Sequence, residues 1–382
     1  MSYTTLQPNQ ERLTAIDRAR LAVLAEGKSA GTVAPNFWQG RAYIEESWQR
    51  CLQDGYAPTR AVEFDMVSST IVNRTKDRNH ALLEAGCPVL GHIGRAIADT
   101  RYFAILTNEL GVVVDASGPI DRRDRRAELI TRTGVDLSEK SIGTSAIGTA
   151  LHQLQAVWLH RGEHFFSGLS HYSCAGAPIF GPDGNCAGML DLTGIEQPER
   201  PELVHLATQA ARSIENMLTL SQPHTVLVRI NWPGRTLGDD TDGLVCLDAD
   251  GWVTGANSAA RQMVQQFGGA DDKPVHCSEL FAMPYENLFN AARLDSRVID
   301  APLWSGLRLN ALVLPCGQTG ISLPARQEAP ASEQFALRDV EIVLIRKAIE
   351  DAKGNVMLAS RMLGISRATV YRKLELAKRQ AF

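Results

Sequence analysis

Apolar residues recur at helical spacing in the first part of the chain, at Leu13, Ile16, Ala19 and Val23 and again at Ile44, Trp48 and Leu52. Between these two predicted helices, residues 27–40 carry Gly31, Pro35 and Gly40 and read as a loop. The pattern then changes. Tyr102-Phe-Ala-Ile-Leu-Thr-Asn and Gly111-Val-Val-Val-Asp are apolar runs of strand length joined by a short polar turn. Ala177-Pro-Ile-Phe and Ala187-Gly-Met-Leu-Asp-Leu flank Gly181-Pro-Asp-Gly, which predicts a hairpin because Pro and Gly supply the backbone angles of a tight turn. A long amphipathic helix follows over Leu203 to Leu220. On a smaller scale, Leu244-Val-Cys-Leu-Asp and Trp252-Val-Thr-Gly predict two strands across Ala249-Asp-Gly, with a helix from Ser258 to Phe267 behind them. The fold class is therefore α+β and multidomain. Its parts are a helical region over 1–83, a sheet-containing domain over 84–220, a smaller one over 224–316, a linker over 317–334 and a helical domain over 335–382. No period of solenoid length recurs.

Composition narrows the class without naming it. The 382 residues are 44% hydrophobic and 21% charged, a globular balance, and no apolar run reaches the length that crosses a bilayer. The polar start, Met1 to Gln10, lacks an apolar signal core, so a cytoplasmic location is expected, with no membrane partner. Seven cysteines stand singly from Cys51 to Cys316, with no C-x-x-C pair to suggest a disulfide framework or a zinc site. The net charge of −4 conceals an asymmetry. From Lys353 to Phe382, seven cations face the single acid Glu375, a net of +6 that leaves −10 on the rest. A basic block on an acidic body suits a nucleic-acid reader, and charge alone equally allows a solvated helix.

The tail separates those readings. Asn355 can cap a helix over Val356 to Leu363 that stops at Gly364, and Ser366 can cap a second over Arg367 to Gln380. With Val370, Leu374 and Ala377 buried and Ala359 small enough for a close crossing, this is helix-turn-helix geometry. Ser366, Arg367, Thr369, Arg372 and Lys373 then fall on the half of the second helix that enters a major groove, and Lys378 and Arg379 are placed for phosphates. The preceding helix, Leu337 to Asp351, is apolar on two stripes. One packs on the helix-turn-helix; the other predicts a homodimer or docking on the third segment of the same chain.

Gly354-Asn-Val-Met-Leu-Ala-Ser-Arg-Met-Leu-Gly-Ile-Ser-Arg-Ala-Thr-Val-Tyr-Arg-Lys-Leu resembles the Fis-type helix-turn-helix of bacterial enhancer-binding regulators, with Ser360 where that family usually has a second Ala. Upstream, Ser47-Trp-Gln-Arg-Cys with Gly55 and Pro58, Ser141-Ile-Gly-Thr-Ser-Ala-Ile-Gly-Thr-Ala-Leu, Gly162-Glu-His-Phe and Cys174-Ala-Gly-Ala-Pro-Ile through Gly188-Met-Leu-Asp-Leu-Thr-Gly resemble acetoin-catabolism-type regulators. The resemblance implies a GAF domain over the second segment, an antiparallel sheet enclosing a small molecule. It implies a PAS-like module over the third, from Asp242-Gly through Asn257-Ser-Ala-Ala. Full-length members of that family also carry a sigma-54 ATPase. Here the only Gly-Lys-Ser, at 27–29, has Ala22 in place of the first glycine of a phosphate loop, and the sigma-54 contact loop is absent.

The expected function is a DNA-binding transcriptional regulator of a double-stranded operator. A small organic effector acts through the GAF domain, ATP hydrolysis plays no part, and RNA polymerase or a full-length sigma-54 activator are the further partners left open. Trp158, His164, Phe166, Tyr172 and Cys174 are the candidate effector contacts, an apolar wall with polar handles, and core packing is the competing role for each. His160, His164 and His171 lack the cysteine or carboxylate spacing of a metal site, and no cofactor is expected. No catalytic motif appears, so the chain is not expected to be an enzyme. A ligand-independent architectural DNA binder is the alternative. A thiol redox protein using Cys174 and Cys186 is a third reading.

Overall fold

The computed structural model describes residues 8–64, 67–268, 273–293, 298–316 and 356–357. The chain divides into two compact units, Met1–Gly320 and Ile321–Phe382. The expected linker, the helix Leu337 to Asp351 and the DNA-reading residues Ser366, Arg367, Thr369, Arg372, Lys373, Lys378 and Arg379 all lie outside the described residues.

Six helices precede the first strand: α1 (Pro8–Leu24), α2 (Ala30–Val33), α3 (Pro35–Trp38), α4 (Ala42–Gln53), α5 (Ser69–Arg78) and α6 (His80–Ala96). Residues 27–40 are thus not simply a loop. Ser29 accepts a hydrogen bond from Gly31 N, and Glu45 of α4 accepts one from Ala30 N, so two short helices form where glycine and proline suggested none. Helix α4 buries Ile44 and Trp48 as expected, but its third inward residue is Cys51, and Leu52 is exposed. The boundary expected at 83/84 falls inside α6.

Two five-stranded antiparallel sheets follow. The first contains β1 (Tyr102–Asn108), β2 (Val113–Ser117), β3 (Val157–His160), β4 (Tyr172–Phe180) and β5 (Cys186–Ile195) in the order β2-β1-β5-β4-β3. The hairpin expected at Gly181-Pro-Asp-Gly joins β4 to β5, and Gly181 N donates to Asn185 O at 2.7 Å. Between β2 and β3 the chain crosses over through α7 (Arg125–Ile130), α8 (Glu139–Ile142) and α9 (Ala146–Gln153). Every residue of β1 is buried because both faces of this sheet are covered. Ala104, Leu106, Leu190 and Leu192 point at α6 and α10 (Leu203–Leu220). Phe103, Ile105 and Met189 point into a core shared with α1, α4, α8 and α9.

The second sheet contains β6 (Val226–Asn231), β7 (Gly243–Leu247), β8 (Val253–Ala256), β9 (Val298–Pro302) and β10 (Arg308–Pro315) in the order β8-β7-β6-β10-β9. Val228, Val245, Ala311 and Val313 pack under α11 (Ser258–Met263), α12 (Cys277–Leu280) and α13 (Glu286–Arg293). The opposite face carries Leu227, Leu244, Cys246 and Leu314. The Cys246 thiol lies 3.4 Å from Thr219 O of α10. Helix α10 is therefore the element common to both sheets.

Candidate functional site

Strand β5 runs down the middle of the first sheet, between β1 and β4. On the face where Met189 meets the core, alternation also places Asp191 and Thr193. Across the ladder, Asp191 pairs with Ile105 on one side and Gly176 on the other, and Thr193 pairs with Cys174. Ile105, Cys174, Asp191 and Thr193 border a cavity of about 30 Å³. Its apolar wall is Phe64, Ile105, Ile130, Leu137, Ile142, Ala146, Ile147 and Leu169, and its polar groups are Ser145, His164, Tyr172, Cys174, Asp191 and Thr193.

Four of these polar groups, His164, Cys174, Thr193 and Asp191, form a connected series. Nδ1 of His164 lies 2.9 Å from Arg161 O, an acceptor only, so Nδ1 carries the proton and Nε2 is left to accept. Burial lowers the His164 imidazolium to about 4, which keeps the ring neutral. Cys174 Sγ is 3.7 Å from that Nε2 and 3.4 Å from Thr193 Oγ1. Thr193 Oγ1 in turn donates to Asp191 Oδ2. Burial pushes the Cys174 thiol well above its ordinary value and the Asp191 carboxyl up to about 7. Asp191 is 1% exposed; the Cys174 thiol is a second hydrogen-bond partner of its carboxyl beside Thr193, and Oδ1 has no partner among the described residues.

The N-terminal helices close over this core through charge as well as apolar packing. Glu163, fully buried, is gripped by Arg41, with Nη1 on Oε1 at 2.6 Å and Nη2 on Oε2 at 2.7 Å, and it also pairs with Arg12 of α1. His160 N donates to Glu163 Oε2 at 2.7 Å, and Trp48 Nε1 donates to Glu163 O at 2.8 Å. With two guanidiniums beside it, the Glu163 carboxyl is held below its ordinary value in spite of burial. A second contact binds α4 to α8. Arg50 meets both oxygens of Glu139, at 2.7 and 2.9 Å, and Ser47 Oγ lies 2.6 Å from Glu139 Oε2 and 2.8 Å from Thr144 Oγ1. Gly143 holds φ at +64°, and a Cβ there would stand 2.9 Å from the Phe166 ring, so this loop requires glycine.

Of the five candidate contacts, His164, Tyr172 and Cys174 border the cavity. Trp158 and Phe166 do not. Trp158 lies under the Arg41 guanidinium, 3.5 Å from its ring centroid, as part of the clasp. Phe166 packs against Phe165 and Tyr56. The three histidines have separate partners: His160 meets Ser173 at 2.7 Å, His164 meets Cys174, and His171 stacks on Tyr172 at 4.1 Å. Among the described residues no group of three His, Cys, Asp or Glu side chains is placed to hold a metal. Asp191 went unnamed as a contact from sequence. Its signal was a carboxylate between Leu190 and Leu192, in a strand with both faces buried.

The profile of the MimR N-terminal domain matches residues 14–216, and that of the bacterial regulatory protein, Fis family, matches residues 336–375. The acetoin catabolism regulatory protein of Cupriavidus necator is 30% identical over 313 residues, 78% of this chain and 46% of the relative. The propane 2-monooxygenase operon transcriptional activator MimR of Mycolicibacterium goodii is 30% identical over 204 residues, 53% of this chain and 33% of the relative. Among solved structures, the Escherichia coli DhaR(N)–DhaL complex is similar at 18% identity with a TM-score of 0.43, covering 72% of this chain and 99% of that one. The chain spans less than half the length of these curated relatives. Residues 217–335, between the two matched regions, contain no phosphate-binding loop, so no sigma-54-type ATPase module is evident there. Among the described residues no helix is long and apolar enough to cross a membrane.

Proposed function

The chain belongs to the MimR N-terminal domain family, and from that membership we propose that it is a transcriptional regulator that binds operator DNA through residues 336–375 and takes a small organic effector in the first sheet domain. In this reading residues 84–220 are a GAF-type sensor and residues 224–316 a PAS-like relay. The protein acts as a homodimer, and it regulates without hydrolysing ATP. The observation that carries the reading is the cavity on β5, an apolar chamber holding a connected polar series, set in the domain that the N-terminal helices clasp. Roughly 10–15 Å³ of such space admits one water, so a cavity of about 30 Å³ holds the equivalent of about two or three waters, and a larger effector would have to widen it.

The signal would travel as a population shift. An effector changes operator affinity only by as much as it binds one arrangement of the chain better than the other. Helix α10, packed on the first sheet and reaching the second, offers the rigid connection between them. The redox reading is disfavoured because burial raises the Cys174 thiol, whereas reactive thiols are depressed.

Footprinting and affinity measurement on the DNA flanking its own gene test the reading. Arg367→Ala with Arg372→Ala should weaken operator binding by about 100-fold if each arginine holds a base edge or phosphate. Wild-type binding should fall with salt at roughly 0.9 log units per neutralised phosphate. Unchanged affinity in the double variant would end the assignment. Operator binding that no small molecule alters would leave a ligand-independent architectural protein.

A further inference from the structure

A hairpin tip ordinarily sits in solvent and tolerates change. The tip between β4 and β5 is instead held by the other sheet domain. Its turn closes on itself, with Gly184 N donating to Gly181 O at 2.9 Å and Asn185 N to Asp183 Oδ1 at 3.0 Å. The Pro182 carbonyl accepts two hydrogen bonds from outside that turn, from Ala256 N of β8 at 2.9 Å and from Arg261 Nη2 of α11 at 2.8 Å. Strand β8 lies at the edge of its sheet, so Pro182 supplies an acceptor that an edge amide otherwise finds in water. The same guanidinium is fixed by Nε on Ala256 O at 3.2 Å and lies over the Phe267 ring, 5.2 Å from its centroid. The two backbones meet too closely for side chains. A Cβ at Gly184, where φ is +89°, would stand 2.9 Å from Arg261 Cζ, and one at Gly255 would stand 2.9 Å from Pro182 Cβ.

A second contact secures the base of the tip. Glu215 of α10 is buried, and its Oε1 accepts from Phe180 N, at the end of β4, at 3.0 Å. Ser258, the first residue of α11, bonds the same carboxylate through backbone and side chain. One carboxylate thus joins the end of β4 to the start of α11.

We infer that the β4–β5 hairpin is a latch between the two sheet domains, caught by Arg261 and Glu215, and that it carries a change in the chamber to β8 and α11. The inference goes beyond the effector reading and holds whatever the chamber takes. Two routes join the domains, and they differ in the face they touch. Helix α10 packs on Ala104, Leu106, Leu190 and Leu192, the face of the first sheet turned away from the chamber. The hairpin strands line the chamber themselves, with Cys174 on β4 and Asp191 and Thr193 on β5. At about 3.3 Å per residue, Cys174 and Pro182 stand about 26 Å apart along one continuous strand and its turn. Close-packed strands move as units. A shift of β4 and β5 at the chamber therefore moves the tip, and β8 and α11 must follow it or lose both bonds to Pro182.

A mutant cycle read by amide hydrogen exchange on the full chain tests the latch, because a route is shown only by measured coupling. Ile105→Ala removes part of the chamber wall without touching the tip or α10, and should speed exchange in β1 and β5 at least about tenfold. With the latch intact, the same substitution should speed exchange in β8 and α11 at least about fivefold. In an Arg261→Ala background that remote effect should shrink to within about twofold, while the effect in β1 and β5 stays. Gly184→Asn tolerates the left-handed backbone and crowds the guanidinium from the side of the first sheet domain. It should shrink the remote effect equally, which separates the latch from any loosening of α11 by the loss of Arg261. Asn216→Ala, which cuts the bond from α10 to Asn257, should leave the remote effect in place. Circular dichroism checks the folding of each variant, and where a double variant unfolds, Ile105→Val should give the same pattern at smaller amplitude. No remote effect in the wild-type background would overturn the inference. So would a remote effect that survives in either latch variant, or one that Asn216→Ala abolishes.

Discussion

The two sheets of the larger unit are near relatives in architecture and differ in how they treat a buried carboxylate. Each places its first strand beside its last at the centre, and each sends a helical crossover over one face, after the second strand in one and after the third in the other. In the second sheet domain, Asp242 is buried and fully used. It accepts from Asn231 Nδ2 at 3.0 Å and Gly238 N at 2.6 Å, and it pairs with Arg229 at 3.1 Å. Asn257 ties the same corner together, capping α11 through Ala260 N and donating to Asp242 O and to Asn216 of α10. In the first sheet domain, Asp191 is equally buried, has only the hydroxyl of Thr193 and the thiol of Cys174 as partners, and leaves Oδ1 open among the described residues. A saturated carboxylate holds a fold together, and one with an open oxygen beside a cavity leaves room for an ordered water.

The largest effect expected from this contrast lies in the clasp. Glu163→Ala leaves the buried Arg41 guanidinium without its carboxylate, while Arg12 keeps Glu199, and should cost about 3–5 kcal/mol in urea unfolding. It would also release the N-terminal helices, seen as faster amide exchange over α1 and α4. A loss under about 1 kcal/mol would mean that the apolar contacts of Ile16, Ile44 and Trp48 suffice to hold those helices.

Asp191 should behave in the opposite sense. Its carboxyl lies at about 7 in the fold against an ordinary 3.8, so the folded chain retains a proton that the unfolded chain has lost. The stability from that proton is complete below the unfolded value and disappears as pH rises through 7. Asp191→Asn should therefore gain on wild type by roughly 2–3 kcal/mol between pH 5 and pH 8. A stability difference that stayed flat over that range would show a carboxyl already ionised in the fold. The smallest effect belongs to Asp242→Asn, which keeps the shape of its network and loses its charge. It should cost roughly 1–2 kcal/mol and leave binding of cavity ligands unchanged.

The sequence was most legible where order is local. The hairpin at Gly181-Pro-Asp-Gly and the helix Leu203–Leu220 are found where turn chemistry and 3.6-residue periodicity put them. Strands β6, β9 and β10 were not separately placed, because β10 pairs with β6 across more than seventy residues and only the closed sheet reveals that register. The quoted motifs also hid their purpose. Ser47, Trp48, Arg50 and Cys51 look like one helical signature, yet they meet Thr144 and Glu163 from two other motifs and Glu139 just before one of them. Trp158, a candidate contact with core packing as its competing role, lies in the clasp and does not border the cavity, since a strand's alternation does not say which face holds the cavity. Asp191 lay inside a quoted motif, and only the fold showed that one of its oxygens is unpartnered.

The account depends on the cavity and the DNA-reading tail being energetically coupled. The most direct measurement is the operator affinity of the whole chain with and without a saturating small molecule whose occupancy of the cavity is confirmed by NMR. The prediction is a change of at least about fivefold, the low end of ordinary allosteric coupling. The same operator affinity with the cavity full as with it empty would contradict the account.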